Sequence, residues 1–188
     1  MKKTLALAAT LTALALTAVA VGAEQYAPAK GSSVKIEGTS TLHAWTMEGS
    51  TINGTIKADS PASANVAVAI PVTSIRSEHT KMDKLMADAL KARDHPEVRY
   101  EMTQATPQGS GDAFTIKTRG KLTIAGVTRD IAMDVQAVKN ADGRYTLTGS
   151  TPLRMTAFGI KPPTAMLGTV KTGDDVKVTF RWVVEKAK

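Results

Sequence analysis

The sequence predicts an all-β protein, an antiparallel barrel or sandwich, with one amphipathic helix in the middle of the chain. The main observation is a repeated alternation of apolar and polar residues, which is typical of strands with one face in a core. The segment 120–138 shows it most clearly, because Leu122 and Ile124 share one face before a turn at Gly126. The second observation is a change of period at residues 79–92, where apolar residues recur every three or four positions and predict a helix.

About eight or nine short strands account for most of the chain, and turns rich in glycine, asparagine and aspartate separate them. In chain order, the alternating segments are 34–38, 40–47, 51–57, 65–72, 98–103, 114–124, 131–138, 145–150 and 176–182. A further alternation runs through Leu153, Met155 and Ala157. Short strands at this spacing favour an all-β barrel or sandwich.

Three segments are interpreted as connections rather than strands. Residues 26–31 are a lead-in to the first strand, and residues 107–112 are a loop because they contain one proline and two glycines. Residues 161–170 contain two prolines and are also interpreted as a loop. Within that loop Met166, Leu167 and the final valine could pack inward.

The N-terminus, residues 1–23, is predicted to be a cleaved secretory signal peptide. Two lysines precede an apolar run at 5–21, and Val21-Gly22-Ala23 supplies small residues for a cleavage site. Cleavage after Ala20 is an alternative, and an uncleaved membrane anchor is another, although the run is borderline for spanning. The predicted mature domain is 24–188. Since the chain has no cysteine, export without disulfides fits the periplasm.

The charge balance is mildly basic. The whole chain carries 24 lysines and arginines against 17 acidic residues, a net charge of +7, and loss of Lys2 and Lys3 leaves +5. This balance could favour anionic headgroups, but a solvated surface is the alternative, because the basic residues form no cluster. We therefore expect no nucleic-acid partner and no stable membrane insertion.

Four segments in order resemble the YceI-like family, the exported polyisoprenoid-binding proteins. They are STLHAWTMEG (40–49), DHPEVRYEM (94–102), TRGKLTIAGVTRDI (118–131) and MTAFGI (155–160). Together they cover essentially the whole predicted mature chain. The family usually carries adjacent aromatic residues near the end of its helical insertion, whereas Ala89 and Leu90 stand there in this chain. That region is therefore expected to be smaller and less aromatic.

The resemblance implies a lipocalin-like antiparallel β-barrel of about eight strands with one amphipathic helical insertion. It also implies a long apolar interior that holds an isoprenoid lipid, such as a quinone or a polyprenyl phosphate. The lipid would be a ligand, and no cofactor is expected. A homodimer is left open.

Ten residues are candidates for lining such a cavity. The methionine and leucine stripe of the predicted helix suits an adaptable apolar ligand, with simple core packing as the alternative. His43 could contact a headgroup at the cavity mouth, or it could be a structural residue hydrogen-bonded at the barrel wall. The aromatic residues could equally be ordinary core. The full set is His43, Trp45, Met82, Leu85, Met86, Leu90, Tyr100, Phe114, Phe158 and Ile160.

Neither catalysis nor a metal site is expected. The three histidines lack close metal-ligand spacing, cysteine is absent, and no Gly-x-Ser-x-Gly motif occurs. We therefore expect a non-enzymatic protein that binds, carries or sequesters an isoprenoid lipid in the periplasm. The alternative is a filled barrel that acts as a structural or protein-interaction module of the cell envelope without a ligand.

Overall fold

The computed structural model describes residues 23–187. Its elements are the strands β1 (Glu24–Pro28), β2 (Ser33–Ser40), β3 (Ala44–Gly49), β4 (Asn53–Ala58) and β5 (Asn65–Pro71), the helix α1 (Thr80–Ala89), and the strands β6 (Glu97–Gln108), β7 (Ala113–Ile124), β8 (Val127–Lys139), β9 (Tyr145–Arg154), β10 (Thr164–Ala165) and β11 (Val170–Lys186). Short 3-10 turns lie at Pro61–Ser63, Val72–Ser74, Met155–Phe158 and Met166–Gly168. Residues 1–22 of the predicted signal peptide lie outside the described residues, so that assignment stays a prediction.

Eight antiparallel strand positions close into a barrel. The strands β4 to β9 pair in sequence order, and β9 pairs with β11. On its other side β11 pairs with β2 and then with β1, and β1 pairs with β4, which completes the ring. β1 and β2 both pair with β11, so together they count as one strand position of the barrel. β3 pairs with β2 and β4 pairs with β1, so β3 and β4 together count as the next position. The predicted lipocalin-like barrel of about eight strands with one helix is therefore confirmed.

The interpretation of residues 26–31 as a lead-in is wrong for their first half. β1 lies between two strands, with Tyr26 opposite Lys186 of β11 and Ile56 of β4. This strand is short and ends at Pro28, so it shows almost no alternation of its own. Its neighbours determine its conformation, and that information is absent from the local sequence.

Two further boundaries differ from the sequence predictions. β6 continues through Pro107, which lies opposite Ile116 of β7, so the predicted loop at 107–112 is shorter. Proline is tolerated near the end of a strand, where few ladder hydrogen bonds remain to be lost. The alternation predicted to include Met155 and Ala157 instead becomes a 3-10 turn, which Gly159 ends at a positive φ of 66°.

The predicted inward packing of Met166 and Leu167 is also wrong. Met166 is 72% exposed and Leu167 is fully exposed, whereas Val170 lines the interior. Met166 and Leu167 have φ angles of 50° and 56°, a conformation that bulky side chains rarely adopt. The turn therefore directs both side chains to solvent.

The inner face of the barrel follows the predicted alternation. Leu122, Ile124, Val178 and Phe180 all line the interior, as expected from the polar residues between them. Buried apolar side chains form two clusters. One contains Trp182, and the other contains Leu122 with Phe158.

The helix α1 covers one end of the barrel. It is shorter than the predicted 79–92, because Leu90 caps it and Lys91 turns to a positive φ of 52°. Its start is fixed by Asp83, whose carboxylate accepts hydrogen bonds from the backbone N–H of Ser77 at 2.6 Å and from its hydroxyl at 2.8 Å. No helix among residues 23–187 is both long and apolar enough to span a bilayer.

Candidate ligand cavity

A cavity of about 840 Å³ lies inside the barrel at the end that α1 covers. Strand residues such as Ile36, Ile70 and Val178 supply most of its wall, and α1 supplies the rest. Sites for small molecules typically measure about 300–1,000 Å³ and are mostly apolar with a few polar groups. The size and lining of this cavity fit that description.

A second cavity of about 400 Å³ lies toward the opposite end of the barrel. Five residues line both cavities, so the two spaces adjoin inside the barrel: Val68, Tyr100, Met133, Phe180 and Trp182. At the far end the rings of Tyr26 and Tyr145 meet edge to face, with their centroids 5.6 Å apart. The barrel interior is therefore hollow over much of its length.

Glycines in the barrel wall leave room for large aromatic side chains. Gly149 lies directly opposite Phe180, and a Cβ atom on that glycine would come within 2.7 Å of the Phe180 ring. Gly38 has the same relation to Trp45, its partner in β2–β3 pairing. Because these rings rest against glycine backbone, they occupy the wall and leave space beside them.

Nine of the ten candidate residues line the larger cavity, and Phe114 lines the smaller one. The nine are His43, Trp45, Met82, Leu85, Met86, Leu90, Tyr100, Phe158 and Ile160. Contact with a ligand stays a prediction for all ten. The sequence analysis did not select several inward residues that contribute equally, including Ile70, Met133 and Trp182, although their alternation already indicated an inward face.

The α1 stripe both packs against the core and lines the larger cavity. Met82 and Met86 pack against the apolar cluster that contains Trp182, and Ala89 and Leu90 pack against the cluster around Phe158. The same residues line the cavity, as does Leu85, which is 38% exposed. The helix is therefore a wall of the cavity and a cover for the core at once.

Charged side chains border the larger cavity near the start of α1 and the end of β9. Glu78 and His79 immediately precede α1, Lys81 lies in its first turn, and Arg154 ends β9. His43 is exposed at the rim, with Nδ1 2.6 Å from the carbonyl oxygen of Ala44. A headgroup could meet charge at the rim, and an apolar chain would meet hydrocarbon inside.

Asp174 orders the turn beside the rim. Its carboxylate accepts hydrogen bonds from the Thr156 hydroxyl at 2.6 Å, the Thr156 N–H at 2.8 Å and Arg154 Nε at 3.0 Å. The two bonds from Thr156, followed by the bond and charge of Arg154, hold the pKa of Asp174 below its ordinary value. This carboxylate therefore stays ionised and fixes the end of β9.

Two buried polar atoms near the junction of the cavities lack a hydrogen-bond partner among the described residues. They are the hydroxyl of Tyr100 and Nε1 of Trp182. Burial raises the pKa of Tyr100, because the phenolate would lose its hydration.

Among residues 23–187, no three His, Asp or Glu side chains converge where a metal ion could bind. The arrangement at this site can bury an apolar chain and surround it with flexible methionine and leucine side chains. The sequence prediction that neither metal nor catalysis is involved stays a prediction.

Comparison with known proteins identifies a matching family and similar relatives. A sequence model of the YceI-like domain matches residues 26–184. A UPF0312 protein of Pseudomonas putida is 27% identical over 201 aligned positions, covering 99% of this chain and 100% of that protein. A UPF0312 protein of Shewanella baltica is 32% identical over 108 positions, 54% of this chain and 55% of that protein. The match thus spans about half the length of the Shewanella relatives.

Solved structures share the fold at low sequence identity. A polyisoprenoid binding domain from Saccharophagus degradans has a TM-score of 0.71 at 12% identity, covering 87% of this chain and 98% of that one. Burkholderia cenocepacia BcnA has a TM-score of 0.67 at 21% identity, with coverage of 81% and 95%. The YCEI protein of Campylobacter jejuni has a TM-score of 0.59 at 22% identity, with coverage of 76% and 84%.

Proposed function

Because this chain belongs to the YceI-like family, we propose that it binds an isoprenoid lipid in the larger cavity and carries or sequesters it in the periplasm. The observation that supports this most strongly is the apolar space of about 840 Å³ that the barrel and α1 enclose. The structural likeness to a domain described as polyisoprenoid-binding agrees with it.

The proposed mechanism is burial without chemistry. Each CH₂ group removed from water is worth about 0.8 kcal/mol, so a chain of several isoprene units gains a large driving force. Ordering the flexible chain and immobilising the lipid subtract part of that gain. Methionine and leucine side chains of α1, such as Met82 and Met86, can adopt different rotamers around the branched chain.

The headgroup would lie at the rim, where Lys81 and Arg154 border the cavity. A phosphate would interact with these cations, and a quinone carbonyl could accept hydrogen bonds from the same donors. Both headgroup classes therefore suit the proposed site. Transport through the aqueous periplasm requires that only the isoprenoid tail be shielded.

The test is to identify the lipid that the protein carries. The protein is expressed with its own N-terminal segment, purified from the periplasmic fraction without detergent and extracted with organic solvent for mass spectrometry. The expected result is an isoprenoid lipid near one equivalent per folded chain, and an N-terminus at or near Glu24. A matched sample, unfolded in denaturant, stripped and refolded, should regain binding of added isoprenoid.

Two results would count against the proposal. One is an extract free of isoprenoid together with a stripped protein that fails to bind added quinone or polyprenyl phosphate. The other is a full-length chain that stays in the inner membrane. A folded protein with no lipid by both measurements would favour a structural or protein-interaction barrel without a ligand instead.

A further inference from the structure

An apolar tip stands beside the mouth of the larger cavity. It consists of Leu42, in the turn between β2 and β3, together with Met166 and Leu167, in the turn after β10. Leu42 is 67% exposed, Met166 is 72% exposed and Leu167 is fully exposed. These are three of the five large apolar side chains that are exposed among the described residues. Such clustering at one end of a barrel indicates an interaction surface.

Hydrogen bonds hold the two turns together. The Thr41 N–H donates to the Lys171 carbonyl at 2.9 Å, and the Lys171 N–H donates to Thr41 Oγ1 at 3.2 Å. Thr41 Oγ1 also donates to the carbonyl of Thr169 at 3.3 Å. The apolar tip is therefore a joined feature of two turns. Its neighbours Ala165, Val170 and Thr172 line the cavity, so the tip is continuous with the cavity mouth.

The backbone of the second turn is strained to present these side chains. Met166 and Leu167 both have positive φ, at 50° and 56°. Non-glycine residues in this region persist where the surrounding structure imposes it, and such residues cluster at functional sites. The Thr169 hydroxyl donates to the Met166 carbonyl at 2.7 Å and stabilises the turn.

Lysine residues lie near the apolar tip in the sequence and at the cavity mouth. Lys161 and Lys171 flank it along the chain, and Lys81 borders the cavity mouth. Within the described residues none of these three lysines forms an ion pair. Glu78 is the carboxylate among the described lining residues of the larger cavity. Exposed apolar side chains with lysines nearby match the boundary between headgroups and acyl chains, where lysine ammonium groups extend toward anionic phosphates.

We propose that the apolar tip, Leu42 with Met166 and Leu167, docks the barrel on an anionic lipid bilayer with the cavity mouth facing the membrane. The docking goes beyond lipid binding, because it assigns the surface through which a lipid would enter or leave. It does not depend on which lipid occupies the cavity.

Vesicle flotation tests this surface directly. The native mature protein is mixed with vesicles of phosphatidylethanolamine and phosphatidylglycerol and centrifuged through a density gradient. We expect wild type to float with these vesicles and the combined variant Leu42→Ser/Met166→Ser/Leu167→Ser to lose roughly tenfold or more in partitioning, since even one leucine burial can supply that factor. Raising the salt concentration should weaken wild-type flotation, because the lysine attraction is screened.

Val138→Ser is the matched control. Val138 is also an exposed apolar residue, at 41%, but it lies in β8 near the opposite end of the barrel. The control should float like wild type. Melting curves should show all variants folded, and if the combined variant does not fold, Leu167→Ser alone replaces it and should reduce flotation.

Three results would overturn the docking proposal. They are wild type that fails to float, a tip variant that floats like wild type, and a control that loses flotation equally. If wild type does not float but forms a dimer in solution, and the tip variant is a monomer, the tip is a self-association surface instead. Binding of added isoprenoid to stripped protein without vesicles separates this outcome from the proposed function, since the tip variant should still bind it.

Discussion

Replacing Met86 by tryptophan tests whether α1 is a wall of a lipid-binding cavity. Met86 lies on the inner face of the helix, packs against the cluster that contains Trp182 and borders the cavity of about 840 Å³. A larger side chain at this position can enter empty space rather than displace packed neighbours. The overpacking cost of about 1–3 kcal/mol seen in filled cores should therefore be absent. We expect the free energy of unfolding to change by less than about 1 kcal/mol.

The effect on the lipid should be much larger. If the indole excludes one isoprene unit, five carbon atoms lose their apolar environment, an upper limit of about 4 kcal/mol at about 0.8 kcal/mol per carbon. Shifting of the flexible chain recovers part of this. A weakening of at least tenfold, equivalent to about 1.4 kcal/mol, is the expected minimum. The measurement is isoprenoid per folded chain by mass spectrometry, beside a urea unfolding curve.

Val72→Trp is the matched control, because Val72 is buried and lines neither cavity. Here tryptophan must displace packed atoms, so stability should fall by about 1–3 kcal/mol while the lipid content per folded chain is retained. The reasoning is refuted if Met86→Trp shows the control's pattern, with lowered stability and wild-type lipid content. In that case α1 only covers the core.

Two further changes test the barrel register and the rim. Leu122→Asp places an unpaired charge in the apolar interior and should destabilise the protein by several kcal/mol. Lys121 faces outward, so Lys121→Ser should lower the free energy of unfolding in urea by less than about 1 kcal/mol. If the two variants lose equal stability, the assigned strand register is wrong. The hydrogen bonds from Thr156 and Arg154 lower the pKa of Asp174 in the folded state. The ionised Asp174 therefore stabilises the folded protein fully above the ordinary Asp pKa of about 4. This contribution is lost as pH falls through the lower pKa of the folded state. Between neutral pH and about pH 3, the melting temperature of Asp174→Asn should therefore fall less than that of wild type. An equal fall in both proteins would contradict the stabilising role of the ionised Asp174.

The local periodicity of apolar residues was enough to predict much of the fold and part of the candidate site. Leu122 and Ile124 could be assigned to the interior because a period of two determines which side chains share a face. The stripe of α1 could be recognised because a period of 3.6 residues places Met82 and Met86 on one side. These assignments need no knowledge of which strands are neighbours.

Local periodicity does not predict which distant segments of the chain pair with one another. β1 is held by β4 and β11, and its five residues contain too little alternation to predict a strand. Phe114 lines the smaller cavity, because its depth along the barrel depends on strand stagger, which the local sequence does not contain. Met166 and Leu167 were judged by hydrophobicity, whereas the positive φ of the turn turns them outward.

Whether the barrel is filled or hollow follows from pairs that only the register reveals. Phe180 and Trp45 are large enough to obstruct a small barrel, and composition alone would allow either outcome. Each ring instead lies against a glycine on the neighbouring strand, Gly149 and Gly38 respectively. A methyl group on either glycine would collide with its ring and push the ring away from the wall. These glycines therefore help to keep the cavity open, and the 31 positions between Gly149 and Phe180 hide the role of Gly149 until the strands are paired.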